Sequence, residues 1–321
     1  MKNLKRIMAV LLLVFMVCGA VVSVMAAATP KTEICTAATM AYELKGLPYN
    51  RAVQNFYIAS KYIYVTQRIG ETTYLSRLTI SGKKAYYKDH MTIKRAGHGQ
   101  SLDMYTYNDI NYLYLGCKSE SSDNHFSLQI ARIKYEAGKT YDYTDLNRLT
   151  HMNYATKSTK SLGTTYRVAA GGNSKYTIFR IQTTGGAVTF SIYDTVKLNK
   201  LLDNSKSVAM NTDAARACNV KHFTQTGKNI VRPNGSFQGI DMLGNSDIYV
   251  SGGLDGQTPQ IARMSNNGAY EKLVYVSNVG KKEIEGLQCK NGNIYFLIIP
   301  NTVFKWNTQK IYYLSEALFE N

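Results

Sequence analysis

One short pattern recurs along the chain: a Gln or Glu, one spacer residue, and then apolar residues in alternation. After a short turn, each copy is followed by an apolar residue, a Tyr and another apolar residue, which is typical of a second β-strand. The copies begin at Gln54, Gln100, Gln238 and Glu285, and the tyrosines that follow them are Tyr64, Tyr114, Tyr249 and Tyr295. The pattern therefore predicts a chain built from repeated pairs of strands.

A third β-rich run with a central arginine follows these pairs, and often a fourth run comes next. The arginines are Arg77, Arg132, Arg180 and Arg263. Arg180 implies a further unit, whose second strand would be "TYRVAAGG" near Val168. Tyr64 and Tyr114 are 50 residues apart, and Tyr249 and Tyr295 are 46 apart. Four-stranded units at this spacing are typical of a β-propeller, so the sequence predicts an all-β fold, a single propeller of five four-stranded blades.

Two irregularities complete the predicted architecture. The last unit has no fourth β-rich run before Asn321, so we expect residues 34–44 to supply that strand and close the ring. The interval from Arg180 to Arg263 is longer than its neighbours, and apolar residues recur there at nearly helical spacing after Asp194. We therefore predict one short helical insertion at about 194–235.

The first 28 residues have the pattern of a secretory signal peptide. A basic start precedes an apolar run over residues 7–24, and small residues then offer cleavage after Ala26 or Ala28. The apolar run is also long enough to span a membrane, so an uncleaved anchor is the alternative. We expect residues 1–28 to be removed and residues 29–321 to be secreted into the extracellular space as one propeller domain.

The charge of the chain suggests what it meets outside the cell. The formal net charge is +16, and removing Lys2, Lys5 and Arg6 with the signal peptide leaves +13. A secreted protein this basic is attracted to polyanions, which around a bacterial cell are wall teichoic acids and anionic lipids. Nucleic acid is not an expected partner. The alternative is that the charge only keeps the protein soluble.

The sequence offers no metal site and no cofactor motif. Four cysteines follow the signal peptide, and they allow three disulfide pairings among which the sequence does not choose. They are Cys35, Cys117, Cys218 and Cys289. Their spacing fits no zinc module, and the chain lacks a Walker loop, H-E-x-x-H, G-x-S-x-G and a calcium loop. We expect neither a bound metal nor a cofactor.

The stretch "AGHGQSLDMY" carries most of the candidate site residues. Gln100 has counterparts in the other copies and is expected to make a repeated structural hydrogen bond, whereas His98 has none. Asp103 and Asp241 occupy equivalent places, where they could either serve glycoside hydrolysis across the axis or be solvated or bonded to turn amides. We assign no catalytic residue. The candidate ligand-binding residues are His98, Gln100, Asp103, Gln238, Asp241 and Glu285.

Several segments, in order along the chain, give a resemblance to a known family. They include "AGHGQSLDMY", "DLNRLTHMNYA", "FSIYDTVKLNKLLD" and "SFQGIDMLGNSDIYVS". Through these segments the sequence resembles the helveticin J family of large bacteriocins.

The resemblance implies a secreted, heat-labile protein that binds the envelope of related Gram-positive bacteria and kills them without enzymatic lysis. The expected partner is an anionic wall polymer, a glycan or another receptor, and an immunity protein is a second candidate partner. We expect a monomer. The alternatives are a secreted glycosidase or cell-wall hydrolase, and a carbohydrate-binding lectin.

Overall fold

The computed structural model describes residues 28–244, 246–300 and 309–320, and the predicted signal peptide lies outside them except for Ala28. Tyrosine and β-branched residues alternate with polar ones through most of the described chain, which favours strands. The strands, in chain order, are β1 (Thr32–Thr36), β2 (Thr39–Lys45), β3 (Val53–Ile58), β4 (Tyr62–Ile69), β5 (Thr72–Ser81), β6 (Lys84–Lys94), β7 (Leu102–Tyr107), β8 (Ile110–Ser119), β9 (Ser127–Ile133), β10 (Thr140–Asp142), β11 (Asn147–Thr150), β12 (Thr165–Gly172), β13 (Tyr176–Thr183), β14 (Val188–Asp194), β15 (Ser207–Ala209), β16 (Asn219–Gln225), β17 (Gly239–Leu243), β18 (Asp247–Gly252), β19 (Gln260–Ser265), β20 (Tyr270–Val276), β21 (Ile284–Lys290), β22 (Asn293–Ile298) and β23 (Lys310–Ser315).

These strands form five antiparallel four-stranded blades, which confirms the predicted propeller. In order they are β3–β6, then β7, β8, β9 and β11, then β12, β13, β14 and β16, then β17–β20, and finally β21, β22, β23 and β2. We number them blades 1 to 5. The first strand of each blade lies beside the first strand of the next, and β21 lies beside β3. The blades therefore form a closed ring whose axis is lined by first strands.

The core is divided among the five junctions between blades. Each pair of neighbouring blades shares one cluster of buried apolar side chains, such as Phe56 of blade 1 with Leu297 of blade 5. At the junction of blades 2 and 3, Tyr105 packs in the same cluster as Phe179. Because a single blade leaves two apolar faces uncovered, closure of the ring is what removes this surface from water.

The N-terminal segment closes the ring, but only part of residues 34–44 does so as predicted. Strand β2 completes blade 5 by pairing with β23, and its other edge runs parallel to β6 of blade 1. Strand β1 instead extends blade 4, where Ile34 pairs with Val274. The chain crosses between these blades at Ala38, whose backbone N–H and carbonyl both bond to the Asn278 side-chain amide at 2.8 Å.

The helical insertion lies between the third and fourth strands of blade 3. Helix α1 (Thr195–Asn204) begins where the sequence indicated, and the Asp194 side chain caps it by accepting from the Lys197 amide at 2.9 Å. Helix α2 (Asp213–Ala217) follows it. The insertion is shorter than the predicted 194–235, because residues 219–225 form β16, the outer strand of blade 3.

Blade 3 is registered differently from the prediction. The segment "TYRVAAGG" is β12, the first strand of the blade, and Arg180 lies on β13, the second strand. The arginine pattern misled the alignment because Phe179 occupies the place of the repeated tyrosine and Ser191 that of the third-strand arginine. Gly171 supports the assignment of β12 as a first strand, because first strands of neighbouring blades lie close together. A Cβ at this position would lie 2.6 Å from a backbone oxygen of blade 4.

Two further observations concern the membrane and disulfide questions. Within the described ranges, no helix is long and apolar enough to cross a membrane. All four cysteines are free thiols, so none of the three pairings is formed; Cys117 and Cys218 are buried, and Cys35 is exposed.

Candidate functional site

Five side chains occupy one position of the repeat, at the start of the first strands. In each blade, one residue of the first strand pairs with the aromatic residue of the second strand. The shared position lies three residues before that first-strand residue. The opposed pairs are Tyr57–Tyr64, Asp103–Tyr114, Ala170–Phe179, Asp241–Tyr249 and Gln288–Tyr295. The position therefore holds Gln54, Gln100, Arg167, Gln238 and Glu285, which confirms the predicted equivalence of the four Gln and Glu residues and adds Arg167.

Four of these five side chains line a cavity of about 390 Å³ at one mouth of the ring, which we call the mouth cavity. Gln54 does not line it. The remaining walls come from the loops and strands of blades 2 to 5, with the exposed Leu254 at the rim. The polar and aromatic lining residues are His98, Gln100, Asn124, Phe126, Tyr166, Arg167, Arg180, Gln182, Arg232, Ser236, Phe237, Gln238, Glu283 and Glu285.

Buried hydrogen bonds join the repeat side chains across the axis. Gln100 Nε2 donates to Gln238 Oε1 at 2.9 Å, and Gln100 Oε1 accepts from the Arg167 guanidinium. Gln238 Nε2 then donates to Glu283 Oε1 at 2.9 Å. The guanidinium also donates to the backbone carbonyl of Phe237 at 2.9 Å. Gln100 thus makes structural bonds as expected, but these bonds join blade 2 to blades 3 and 4 rather than repeating within each blade.

Glu285 lines the mouth cavity, and one oxygen of its carboxyl has no hydrogen-bond partner among the described residues. The side chain is 3% exposed, and the oxygen without a partner there is Oε2. Burial raises the pKa of this carboxyl well above its usual range, and the neighbouring charge of Glu283 adds to the shift. The buried environment therefore disfavours the charged form of the Glu285 carboxyl.

Arginines and aromatic rings form one wall of the mouth cavity. The Arg167 guanidinium carbon lies 4.4 Å from the centre of the Phe126 ring and 4.6 Å from that of Phe237. The Arg180 guanidinium carbon lies 4.0 Å from the same Phe237 ring. Stacking of this kind is favourable for a guanidinium, particularly where water is excluded. It fixes the direction of both buried arginines toward the cavity.

His98 lies at the edge of the same cavity, against the loop of blade 2. Its Nδ1 lies 2.5 Å from the Asn124 carbonyl oxygen, and its ring centre is 5.1 Å from that of Phe126. Burial lowers the pKa of His98 well below its usual range, and the charges of Arg167 and Arg68 act in the same direction. A neutral ring that donates from Nδ1 leaves Nε2 as an acceptor.

Asp103 and Asp241 lie about 10 Å farther along the axis, three residues beyond the mouth. They lie close to one another near the axis of the ring, but they do not line the mouth cavity. Asp241 Oδ1 accepts from the Met242 and Gly172 amides at 2.7 and 2.9 Å, and Oδ2 accepts from the Cys289 amide at 2.6 Å. This carboxylate thereby ties the first strands of blades 3, 4 and 5 together, which is the second of the two roles that the sequence left open.

The two aspartates influence one another. Burial raises the pKa of Asp241 to about 7. Burial also raises the pKa of Asp103 well above its usual value, with the charge of Asp241 as the next cause. Two carboxyls that repel in a buried site hold a proton more strongly than either alone in water.

Four charged residues of the mouth cavity escaped the sequence reasoning. Arg167 could have been found, because it stands where the repeat would place a glutamine. Arg180 takes the place of the apolar residue that follows the repeated tyrosine, whereas Arg232 and Glu283 belong to no part of the pattern, and only closure of the ring brings the three together. Among the residues that the structure describes, no three His, Cys, Asp or Glu side chains gather as a metal site.

The closed ring of five blades is a β-propeller with a charged cavity at one mouth. The family model described as bacteriocin helveticin-J matches residues 32–290. The chain belongs to the helveticin J family of bacteriocins. No curated protein sequence matches the chain.

Several solved structures are similar to this chain at low identity. The RS223 β-xylosidase is 10% identical with a TM-score of 0.39, over 86% of this chain and 95% of that one. The exo-β-1,3-galactanase from Phanerochaete chrysosporium is 6% identical with a TM-score of 0.46, over 87% and 64%. The GH43_1 enzyme from Xanthomonas citri, complexed with xylose, is 9% identical with a TM-score of 0.40, over 86% and 90%. At these scores the similarities carry no argument about activity.

Proposed function

We propose that this chain is a secreted, non-enzymatic bacteriocin that binds a group on the envelope of related Gram-positive bacteria in its mouth cavity and kills them. The observation that carries the proposal is the mouth cavity itself, about 390 Å³ and lined by charged and polar side chains from four blades. A cavity of this size suits one or two sugar-sized units of a polymer. Membership of the helveticin J family supports the antibacterial activity, and the net charge of +13 that remains without residues 1–28 supports attraction to an anionic envelope.

The geometry of the axial carboxylates supports a non-enzymatic role. A hydrolase needs one carboxyl free to give a proton and a second free to act as base or nucleophile. Both oxygens of Asp241 are occupied by backbone amides of three blades, and Asp103 is buried beside it. Removing either from its bonds would disturb the junction of the first strands.

A spot-on-lawn assay with the purified chain against a panel of Gram-positive strains tests this proposal. We expect killing without release of reducing sugar from cell walls. The variant His98→Ala should keep the wild-type melting temperature and lose killing, because His98 lines the mouth cavity. The matched control His151→Ala removes a histidine outside the cavity lining and should kill like the wild type. Envelope binding without killing of any strain would instead indicate a lectin.

A glycosidase is the second candidate, and a specific observation favours it. Glu283 and Glu285 both line the mouth cavity, and burial raises the pKa of each. A carboxyl of raised pKa is what a glycosidase uses as its general acid. The variant Glu285→Gln separates the two functions, since glutamine imitates the protonated carboxyl. A bacteriocin should retain killing in this variant, whereas a hydrolase should lose sugar release.

A further inference from the structure

Arg180 is a buried cation without a charged partner. It is 1% exposed and is the largest fully buried side chain of the described residues. Its Nη1 donates weakly to Gln182 Oε1 at 3.3 Å. Its Nε and Nη2 have no hydrogen-bond partner among those residues, although the side chain lines the mouth cavity. Two nitrogens of a guanidinium that lines the cavity, with three N–H groups between them, thus lack a hydrogen-bond partner within the described ranges.

The arginines of the third strands differ from Arg180 in having carboxylate partners. The pairs are Arg77–Asp89 at 2.6 Å, Arg132–Asp203 at 2.8 Å and Arg263–Asp247 at 2.8 Å. Arg180 is more buried than any of these three, yet no carboxylate comes within salt-bridge distance of it in the described ranges. An isolated buried charge is strongly unfavourable, so its partner is expected to come from outside the chain.

The charges around Arg180 favour an anion in particular. Burial lowers the pKa of Arg180 well below its usual value, and the charges of Arg167 and Arg232 add to that shift. Glu283 and Glu285 line the same cavity, but burial raises the pKa of each carboxyl and so disfavours its charged form. A negative group between the arginines would relieve their mutual repulsion and satisfy the free N–H groups of Arg180.

We propose that the mouth cavity is an anion-binding site in which Arg180, with Arg167 and Arg232, holds one oxyanion group of a wall polymer. Two kinds of group share the required chemistry, the carboxylate of an acidic sugar and the phosphodiester of a teichoic-type chain. The planar fork of a guanidinium matches either one through paired hydrogen bonds. That the anion belongs to a wall polymer rests on the proposed function; the anion site itself rests on Arg180 alone.

Calorimetric titration of the purified chain with small anions tests the site directly. The probes are dimethyl phosphate for the phosphodiester and glucuronate for the carboxylate, with sodium chloride added to equal ionic strength. We expect one of the two to bind and to raise the melting temperature above that in chloride alone. The probe that binds identifies the kind of polymer. If neither binds, the anion site is refuted.

The variant Arg180→Met separates binding from stability. We expect binding of the effective probe to weaken about tenfold or more, since two charge-assisted hydrogen bonds are lost. Without the probe, the melting temperature should stay the same or rise, because an apolar side chain replaces an unpaired buried charge. Arg263→Met is the matched control: it should lower the melting temperature by breaking the pair with Asp247 and leave probe binding unchanged.

Arg180→Lys keeps the charge but not the fork, and it serves if the methionine variant does not fold. We expect it to bind the probe measurably but more weakly than the wild type. Binding of wild-type strength in either Arg180 variant would overturn the proposal. Killing assays keep the two proposals apart: anion binding without killing contradicts only the bacteriocin function, whereas killing without anion binding contradicts only the anion site.

Discussion

Replacing Gln100 with leucine would remove the amide at the centre of the buried network while keeping a side chain of similar size. Gln100 is 6% exposed, donates to Gln238 Oε1 at 2.9 Å and accepts from the Arg167 guanidinium. After the change, Gln238 still donates to Glu283 and Arg167 still donates to the Phe237 carbonyl. Each nevertheless loses one buried partner, so we expect the folded state to be destabilised.

The size of the effect follows from the two lost bonds. An unsatisfied buried neutral acceptor such as Gln238 Oε1 costs about 1–3 kcal/mol, and a hydrogen bond to a charged group contributes about 1.5–3 kcal/mol. We therefore expect the free energy of unfolding to fall by roughly 2.5–6 kcal/mol. For a chain of this length that corresponds to a fall in melting temperature of roughly 5–10 °C.

Thermal unfolding followed by circular dichroism measures this fall, and Gln54→Leu is the matched control. Gln54 occupies the same repeat position in blade 1 and is also buried, but its Oε1 has no partner among the described residues and it lies outside the mouth cavity. Gln54→Leu and His98→Ala should therefore melt close to the wild type. An equal fall for both leucine variants, or none for Gln100→Leu, would show that the network is not the source of stability.

Three further predictions concern pH, salt and processing. Asp241 has a folded pKa of about 7 against an ordinary value of 3.8, so the folded state binds more protons than the unfolded state between these values. Stability to urea should fall as pH rises across that window, and Asp103→Asn should reduce the fall by removing the repulsion; an unchanged pH profile would contradict this. Adsorption to anionic cell walls should weaken as salt rises, because charges are screened beyond ~8 Å at physiological ionic strength, and salt-independent adsorption would argue against ionic attraction. N-terminal sequencing of protein from the culture medium should find a start at Ala27 or Thr29, whereas membrane-bound chains that keep Met1 would indicate an anchor.

The sequence predicts most of the fold because each blade repeats two buried positions. The Gln or Glu at the start of the first strand and the Tyr of the second strand recur because neighbouring blades pack in the same way. These two positions identify blades 1, 2, 4 and 5. In blade 3, Arg167 replaces the glutamine and Phe179 replaces the tyrosine. Both residues keep the packing, but they do not match the Gln or Glu and the Tyr of the pattern. The pattern therefore assigns the strands of this blade one strand too late.

The candidate site is less predictable because its side chains meet only across the ring. The equivalence of Asp103 and Asp241 follows from the repeat, but their partners do not: Asp241 bonds to amides of Gly172 and Cys289, in two other blades. The surroundings of Arg180 are also unpredictable from the sequence. Its apolar neighbours indicate a strand, but nothing in the sequence shows whether a carboxylate lies within salt-bridge distance of the arginine.

The path of strands β1 and β2 sets the order in which the ring can be completed. Within 14 residues, from Thr32 to Lys45, the chain pairs with blade 4, blade 5 and blade 1. Thr39 of β2 pairs with Tyr313 of β23, which lies far along the sequence. Strand β2 therefore cannot pair with β23 until almost the whole chain has been synthesised. Contacts this distant in sequence slow folding. A chain interrupted before β23 would leave β22 and β2 without the strand that joins them, and such unpaired strand edges invite association with other copies.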